Sequence, residues 1–320
     1  MTTTVAEPNG LRPFAPHTDL AQLADLIEAA FGAELRRTGN RLAEDMRALA
    51  ALGPLVGLAA GSWPLYHGRV WLEGGRIIGN VSYGRERARE EWQISNVAVY
   101  PEYRGRGIAG RLLDSALADI RQLGGRRVYL QVNVDNVAAQ HLYLRRGFDV
   151  YDTVLELGLW PRHGAAIGQA SDRVEPVPWW HTRRTVDLAR QALPPHRLQA
   201  RPHLLDQYRR GLWGRLSRAF WLDLFDGSCE GAVNENGHMV ALGRMWGISP
   251  RGPLEVELLV HPAQRGRWEA ELTLALLYQQ GERIRQMRSH VSTAHPEAAQ
   301  ALLANEFELL RTLDEMVLVL

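Results

Sequence analysis

The chain has 320 residues, 46% of them hydrophobic and 23% charged, with a mean hydropathy of −0.24. At about 150 residues per domain, that length gives one large folded domain or two ordinary ones, and the composition excludes a disordered or collagen-like chain. The 37 basic residues stand against 36 acidic ones, so no global field draws the protein to nucleic acid or to a membrane surface. All the basic residues are arginine, which fits the codon usage of a GC-rich genome better than an aversion to a nucleophilic amine. Cys229 is the single cysteine, so no intrachain disulfide is possible, and the Cys/His spacings of a metal site are missing. With no basic start or apolar run at Met1–Thr4, a cytoplasmic protein is expected. The uncharged stretch 48–68 is broken by Gly53, Pro54, Gly57, Gly61 and Pro64, which marks a loop rather than a membrane span.

In chain order, Thr18 or Asp19 is placed to cap a helix whose apolar positions Leu20, Leu23, Leu26, Ile27, Ala30 and Phe31 follow the helical period to Gly32. A second helix fits 40–51. Two β-rich runs, 70–73 and 76–83, meet at Gly74-Gly75 as a hairpin, and a third run covers 92–99. The spacing then predicts a helix over 108–123 stopped by Gly124-Gly125, a strand over 128–134, a helix over 136–146 and a strand over 148–157.

The second half repeats this pattern. Val99-Tyr-Pro-Glu-Tyr-Arg-Gly-Arg106 stands over Val260-His-Pro-Ala-Gln-Arg-Gly-Arg267 at a shift of 161, with five of eight residues identical. Around that segment come a hairpin over 232–246 turning at Asn236-Gly237, a strand over 255–260, a helix over 268–287, a strand over 290–293, a helix over 296–304 and a final strand over 316–320. The expectation is a mixed α/β chain of two tandem domains, 1–160 and 161–320, joined through the proline-containing stretch 160–178.

The informative segment is Arg104-Gly-Arg-Gly-Ile-Ala-Gly110, between a strand and a helix. Glycines there let the backbone turn tightly and leave amides at the helix start free to meet an anion such as a diphosphate. The same residues fit the dinucleotide pattern G-x-G-x-x-G, with Asp135 after the next strand. Against that reading, the glycines here follow an antiparallel meander and the intervening Tyr100–Arg104, whereas the dinucleotide loop closely follows its first strand.

From Val97 to Phe148 the sequence resembles the GNAT superfamily of N-acetyltransferases. Arg104-x-x-Gly107 closing the fourth strand and the helix Asn136-x-x-Ala-x-x-x-Tyr143-x-x-x-Gly147-Phe148 carry the likeness. The resemblance implies two tandem GNAT-like domains with acetyl-CoA as acyl donor. The amides of Gly105, Gly107, Ile108, Ala109 and Gly110 would receive the diphosphate, Arg104 and Arg106 would add charge beside it, and Val97, Ala98 and Val99 would offer main chain to the pantetheine arm. Asn136 would contact the cofactor and Tyr143 would protonate the leaving thiolate. Ser95 and Asn96 stand where many family members carry an acidic residue, which leaves Glu91, then Glu90 or Glu73, as candidate base, or a water chain. The resemblance implies acetyl transfer to a primary amine of a small molecule or peptide by direct attack in a ternary complex. The alternatives are a non-catalytic acyl-CoA-binding regulator and a nicotinamide-dependent oxidoreductase. The second copy carries Trp268, Glu269 and Glu271 at the positions of Gly107, Ile108 and Gly110, with Ala304 or Leu302 at that of Tyr143, so it is expected not to bind acetyl-CoA. The nine arginines between Arg183 and Arg218 read as a solvated face, or as a surface for an acidic partner, nucleic acid or the cofactor's 3′-phosphate. The loop 48–66, with Trp63 and Tyr66, is expected to wall a partly hydrophobic acceptor site.

Overall fold

The computed structural model describes residues 9–51, 67–86, 88–163, 171–177, 182–209, 229–247, 252–281 and 283–320. The apolar stretch 52–66, with Trp63 and Tyr66, and the aromatic residues Trp179, Trp180, Trp213 and Trp221 lie outside them.

The chain forms two compact units. The first comprises Met1–Val132, Asn136–Asp149 and Met316–Leu320, and the second Asn133–Asp135 and Val150–Glu315. This division differs from a cut at 160: the stretch from Val150 on falls in the second unit, and the last five residues of the chain fall in the first.

The first unit opens with β1 (Gly10–Pro13), α1 (Pro16–Thr38) and α2 (Leu42–Ala50), then the meander β2 (His67–Glu73), β3 (Arg76–Arg85) and β4 (Glu91–Val99). After α3 (Ile108–Gln122) come β5 (Arg127–Asn133) and α4 (Val137–Leu144). The sheet order is β1-β2-β3-β4-β5, and the end of β14 (Glu308–Val319) lies beside β5, with Leu320 N donating to Arg126 O at 2.9 Å. Leu23, Leu26, Ile27, Val70, Ile78, Trp92, Leu112, Leu113, Phe148, Met316 and Leu318 share one core.

Two boundaries differ from the sequence expectation. Helix α1 starts three residues before Asp19 and runs past Gly32, which is buried within it, to Gly39 in the left-handed conformation. Asp19 acts as a partner inside the first turn, its Oδ2 accepting from Ala15 N at 2.7 Å and its carboxylate held by Arg12 at 2.6 and 2.8 Å.

The second unit holds β6 (Asp149–Leu159), the short pair β7 (Arg162–His163) with β12 (Arg283–Ile284), and β8 (Glu175–Pro176). Next come α5 (Thr182–Ala192), α6 (Pro195–Ala200), β9 (Cys229–Glu235), β10 (His238–Gly247), β11 (Leu254–Val260), α7 (Glu269–Tyr278), β13 (Met287–Ser292) and α8 (Pro296–Ala304). Its sheet runs β14-β6-β13-β11-β10-β9-β8. Helix α7 ends at Tyr278, nine residues short of Met287, because Gly281 takes φ 64° and turns the chain into β12. Arg197 on α6 is not part of a solvated face: it forms ion pairs with Asp152 at 3.2 Å and Glu315 at 3.0 Å and is largely buried.

Candidate active site

β3 and β4 pair regularly from Arg85/Trp92 to Ser82/Ser95, then again at Asn80/Ala98 and Gly79/Val99. Between those stretches Asn96 and Val97 face Val81 alone, and Asn96 takes φ 52°. This is a β-bulge, which bends the strand and breaks the ladder. On its other side β4 pairs with β5 in parallel only at Glu91–Gln93 and Arg127–Tyr129. Beyond that point the ladder stops, so Val97, Ala98 and Val99 carry main chain that β5 does not engage.

The strand end feeds the glycine loop. A 3-10 turn over Pro101–Tyr103 leads to Arg104, whose Nε donates to Val99 O at 3.2 Å. Gly105 and Gly107 take φ 79° and 75°, a region that favours glycine, and a Cβ built on either meets nothing within 4 Å. Gly107 caps α3 with no side-chain bond, no acidic residue stands in the first turn, and the first helical bond is Arg111 N to Gly107 O at 3.1 Å. The amides of Ile108, Ala109 and Gly110 therefore have no carbonyl of the helix to donate to, and the positive end of the helix dipole adds to them. Arg106 lies 3.6 Å from Glu73 and stacks over Tyr103 at 4.8 Å.

Two glycines serve packing instead. A Cβ on buried Gly110 would stand 2.6 Å from Nη2 of Arg146, which pairs with Asp114 at 2.6 Å. The expected role of Gly110 at the anion is thus joined by a steric one. Gly79 on β3 was not singled out from the sequence, yet its Cβ would meet Ile108 Cγ2 and Leu112 Cδ1, both at 3.0 Å. The absent side chain lets the start of α3 sit on β3.

Asn136 caps α4 by accepting from Ala139 N at 3.2 Å. Tyr143, seven residues on, is buried with its ring edge-on to Phe148 at 5.9 Å. Burial pushes its hydroxyl up to about 12, so it stays protonated, a donor at any working pH.

Glu91 is not brought to the bulge. It sits at the start of β4, buried, accepting from Tyr129 Oη at 3.1 Å, and the five residues to Asn96 span about 16 Å of strand. Between Gln93 and Val99 β4 carries no carboxylate. Among the described residues no group of three metal-ligating side chains gathers.

The second unit repeats the frame with different residues in it. Gly266 repeats the positive φ of Gly105, and Arg267 pairs with Glu235 at 3.2 Å as Arg106 does with Glu73. Trp268, at the position of Gly107, is buried at 1% exposure. The Glu269 carboxylate turns back on the loop: Oε2 accepts from Trp268 N at 3.2 Å and Oε1 meets His295 Nε2 at 2.8 Å. Burial would raise its pKa, but the bonds from His295 and from loop amides, Gly266 included, outweigh burial and hold it below the usual carboxylate range. An internal anion thus occupies loop amides that in the first unit stand free. The choice between Ala304 and Leu302 also resolves. Phe307 N donates to Leu302 O as Phe148 N donates to Tyr143 O, so Leu302 stands for Tyr143.

Residues 27–148 match the acetyltransferase (GNAT) family. That likeness takes in the glycine loop and α4. Within the chain, 92 residues are 35% identical to N-alpha-acetyltransferase 30 of Schizosaccharomyces pombe, covering 28% of this chain and 61% of that protein. The chain spans between 19% and 61% of the length of the relatives that it matches in sequence. The GNAT fold extends further than the sequence match. A GCN5-related N-acetyltransferase from Sphaerobacter thermophilus superposes with a TM-score of 0.65 at 15% identity, over 98% of this chain and 96% of that one. A tandem GNAT protein from the clavulanic acid biosynthesis pathway does so with a TM-score of 0.57 at 16% identity, over 98% of both. The mixed α/β fold expected from the sequence is borne out, and its solved neighbours along nearly the whole chain have the GNAT fold, one of them a tandem GNAT protein. No described helix is long and apolar enough to cross a membrane.

Proposed function

We propose that the first unit transfers the acetyl group of acetyl-CoA to a primary amine of a small molecule or peptide, by direct attack within a ternary complex, and that the second unit is a degenerate copy without acetyl-CoA. The observation that carries this reading is the set of free amides from Gly107 to Gly110 at the end of a strand that parts from its parallel neighbour. Their geometry suits a diphosphate, and the main chain of Val97–Val99 suits an amide-bearing arm running back along β4. The amine nitrogen bonds to the thioester carbon, the carbon–sulfur bond breaks and the sulfur leaves as thiolate. Tyr143 donates a hydrogen bond to that sulfur. With a phenol at about 12 facing a thiol of about 8.5, it stabilises the developing charge without giving up its proton outright. The amine's proton passes to water, since Glu91 is committed to Tyr129 at the far end of β4.

The name of the fission-yeast relative, an N-alpha-acetyltransferase, favours an amine acceptor over the oxidoreductase reading. The test is calorimetric titration of the wild-type protein with acetyl-CoA and with NAD, followed by release of free thiol with a panel of small and peptide amines. Acetyl-CoA binding without NAD binding, and thiol release with at least one amine, are expected. No binding of acetyl-CoA would overturn the proposal, and binding with no transfer to any amine would favour the regulator.

A further inference from the structure

The bulge on β4 has a side chain committed to it. Asn80 on β3 is fully buried, and its Nδ2 donates to Asn96 O at 3.0 Å and to Ser82 Oγ at 3.1 Å. A carbonyl only accepts, so chemistry fixes which way the amide points. Its Oδ1 takes no bond from any described residue, which makes Asn80 a dearer occupant of a sheet interior than an aliphatic side chain of similar size.

The second unit shows that the fold does not require it. There β10 and β11 pair without interruption from Ala241/Val260 to Gly247/Leu254. Ser82 and Ser95 pair in the first unit, as do Arg244 and Glu257 in the second; the next matching pairs are Asn80 with Ala98 and Leu242 with Leu259. From Ser95 to Ala98 is three steps, from Glu257 to Leu259 two, so β4 carries one residue more than its counterpart. Where Asn80 holds that extra residue, the second unit has a leucine and a straight ladder. The neighbouring positions of Ser82 and Ser95 are filled there by an ion pair, Arg244 to Glu257 at 3.0 Å, with Tyr208 Oη on Glu257 at 2.6 Å.

We propose that Asn80 is a positioning residue of the acetyl-transfer site. Its bond to Asn96 O holds that residue in the left-handed conformation, its bond to Ser82 Oγ anchors the amide, and together they aim the main chain of Asn96–Val99 at the thioester end of acetyl-CoA. The diphosphate end is held separately by the loop at Gly105–Gly110. This assignment rests on reading the first unit as an acetyl-CoA-binding domain. It predicts a split that a merely structural residue would not give, because only one end of the ligand depends on Asn80.

The experiment titrates wild type, Asn80→Leu and Asn80→Ala with acetyl-CoA and with adenosine 3′-phosphate 5′-diphosphate, the fragment that carries the diphosphate without the arm, and records melting temperatures alongside. Leucine copies the second unit, and alanine removes both bonds without crowding the site should leucine impair folding. Each variant is expected to bind acetyl-CoA about tenfold more weakly, the loss from one or two net hydrogen bonds, and the fragment as wild type does. Unchanged affinity for acetyl-CoA overturns the assignment. Equal weakening of both ligands with a fall in melting temperature also overturns it, by making Asn80 a stability residue only. Wild type that binds neither ligand removes the underlying reading itself, an outcome distinct from wild type that binds while the variants match it.

Discussion

Replacing Gly107 separates backbone strain from obstruction at the anion site. The residue sits at φ 75° and ψ 5° with nothing within 4 Å of a built Cβ, so alanine meets no clash and bears only the left-handed penalty, about 1–2 kcal/mol. For a unit of this size that lowers the melting temperature by roughly 2–8 °C. Tryptophan, the residue at the matching position of the second unit, bears the same backbone penalty and adds an indole across the amides of α3. If two charge-assisted bonds to a diphosphate are lost at about 1.5–3 kcal/mol each, affinity for acetyl-CoA falls by about 100-fold to 10,000-fold. Gly107→Ala is expected to weaken binding by less than about tenfold. Calorimetry with acetyl-CoA and thermal melts of both variants provide the readout. A folded Gly107→Trp protein with wild-type affinity would refute the anion-site argument, and equal losses for alanine and tryptophan would show that strain, not obstruction, is responsible.

Three further outcomes follow from the geometry. Tyr143→Phe removes a buried hydroxyl with no side-chain partner among the described residues, so the melting temperature should hold while kcat falls by about 10–100-fold, less than full general-acid catalysis is worth; a KM change with kcat intact would count against the role. With that hydroxyl at about 12, no alkaline limb of the wild-type rate profile below about pH 11 should depend on Tyr143. Asp19 is held below its ordinary 3.8: burial would raise it, but bonds from Arg12, Ala15 N–H and Thr18 prevail. Because the unfolded chain takes up that proton first, the stabilisation is complete above pH 3.8 and drains as pH falls through the lower folded value. Denaturant melts between pH 5 and pH 2 should show Asp19→Asn less sensitive to acid than wild type, and identical slopes would contradict this. Gly79→Ala should destabilise by about 1–3 kcal/mol through overpacking against Ile108 and Leu112, and a neutral result in chemical denaturation would mean that α3 yields without cost.

What could be read from the sequence was set by periodicity and by glycine. The meander, the crossover helices and the loop at Arg104–Gly110 have patterns that survive without tertiary context, and the repeat exposed the second unit. The bulge was not read, because one asparagine with positive φ leaves Val97-Ala-Val99 looking like ordinary strand; the usable signal was an asparagine interrupting the alternation beside Ser95. Helix α1 outran Gly32 because its buried stripe outweighs the roughly 1 kcal/mol that glycine costs in a helix. Glu91 is the nearest carboxylate along the chain, and strand length defeats that proximity: five residues of extended strand span about 16 Å. The assignment of Met316–Leu320 to the first unit was illegible, since β6 and β14 are both rich in apolar residues and the sequence does not say which sheet takes which.

The place of those last residues bears on how the chain folds as it is made. The first unit's sheet takes in Met316–Leu320, while its preceding segment ends at Asp149. A ribosome adding roughly 5–20 residues per second needs on the order of ten to thirty seconds to cover the intervening chain, and throughout that interval β5 presents an unpaired edge. Such an edge is a template for wrong partners, and an expression fragment stopped at residue 160 would keep it.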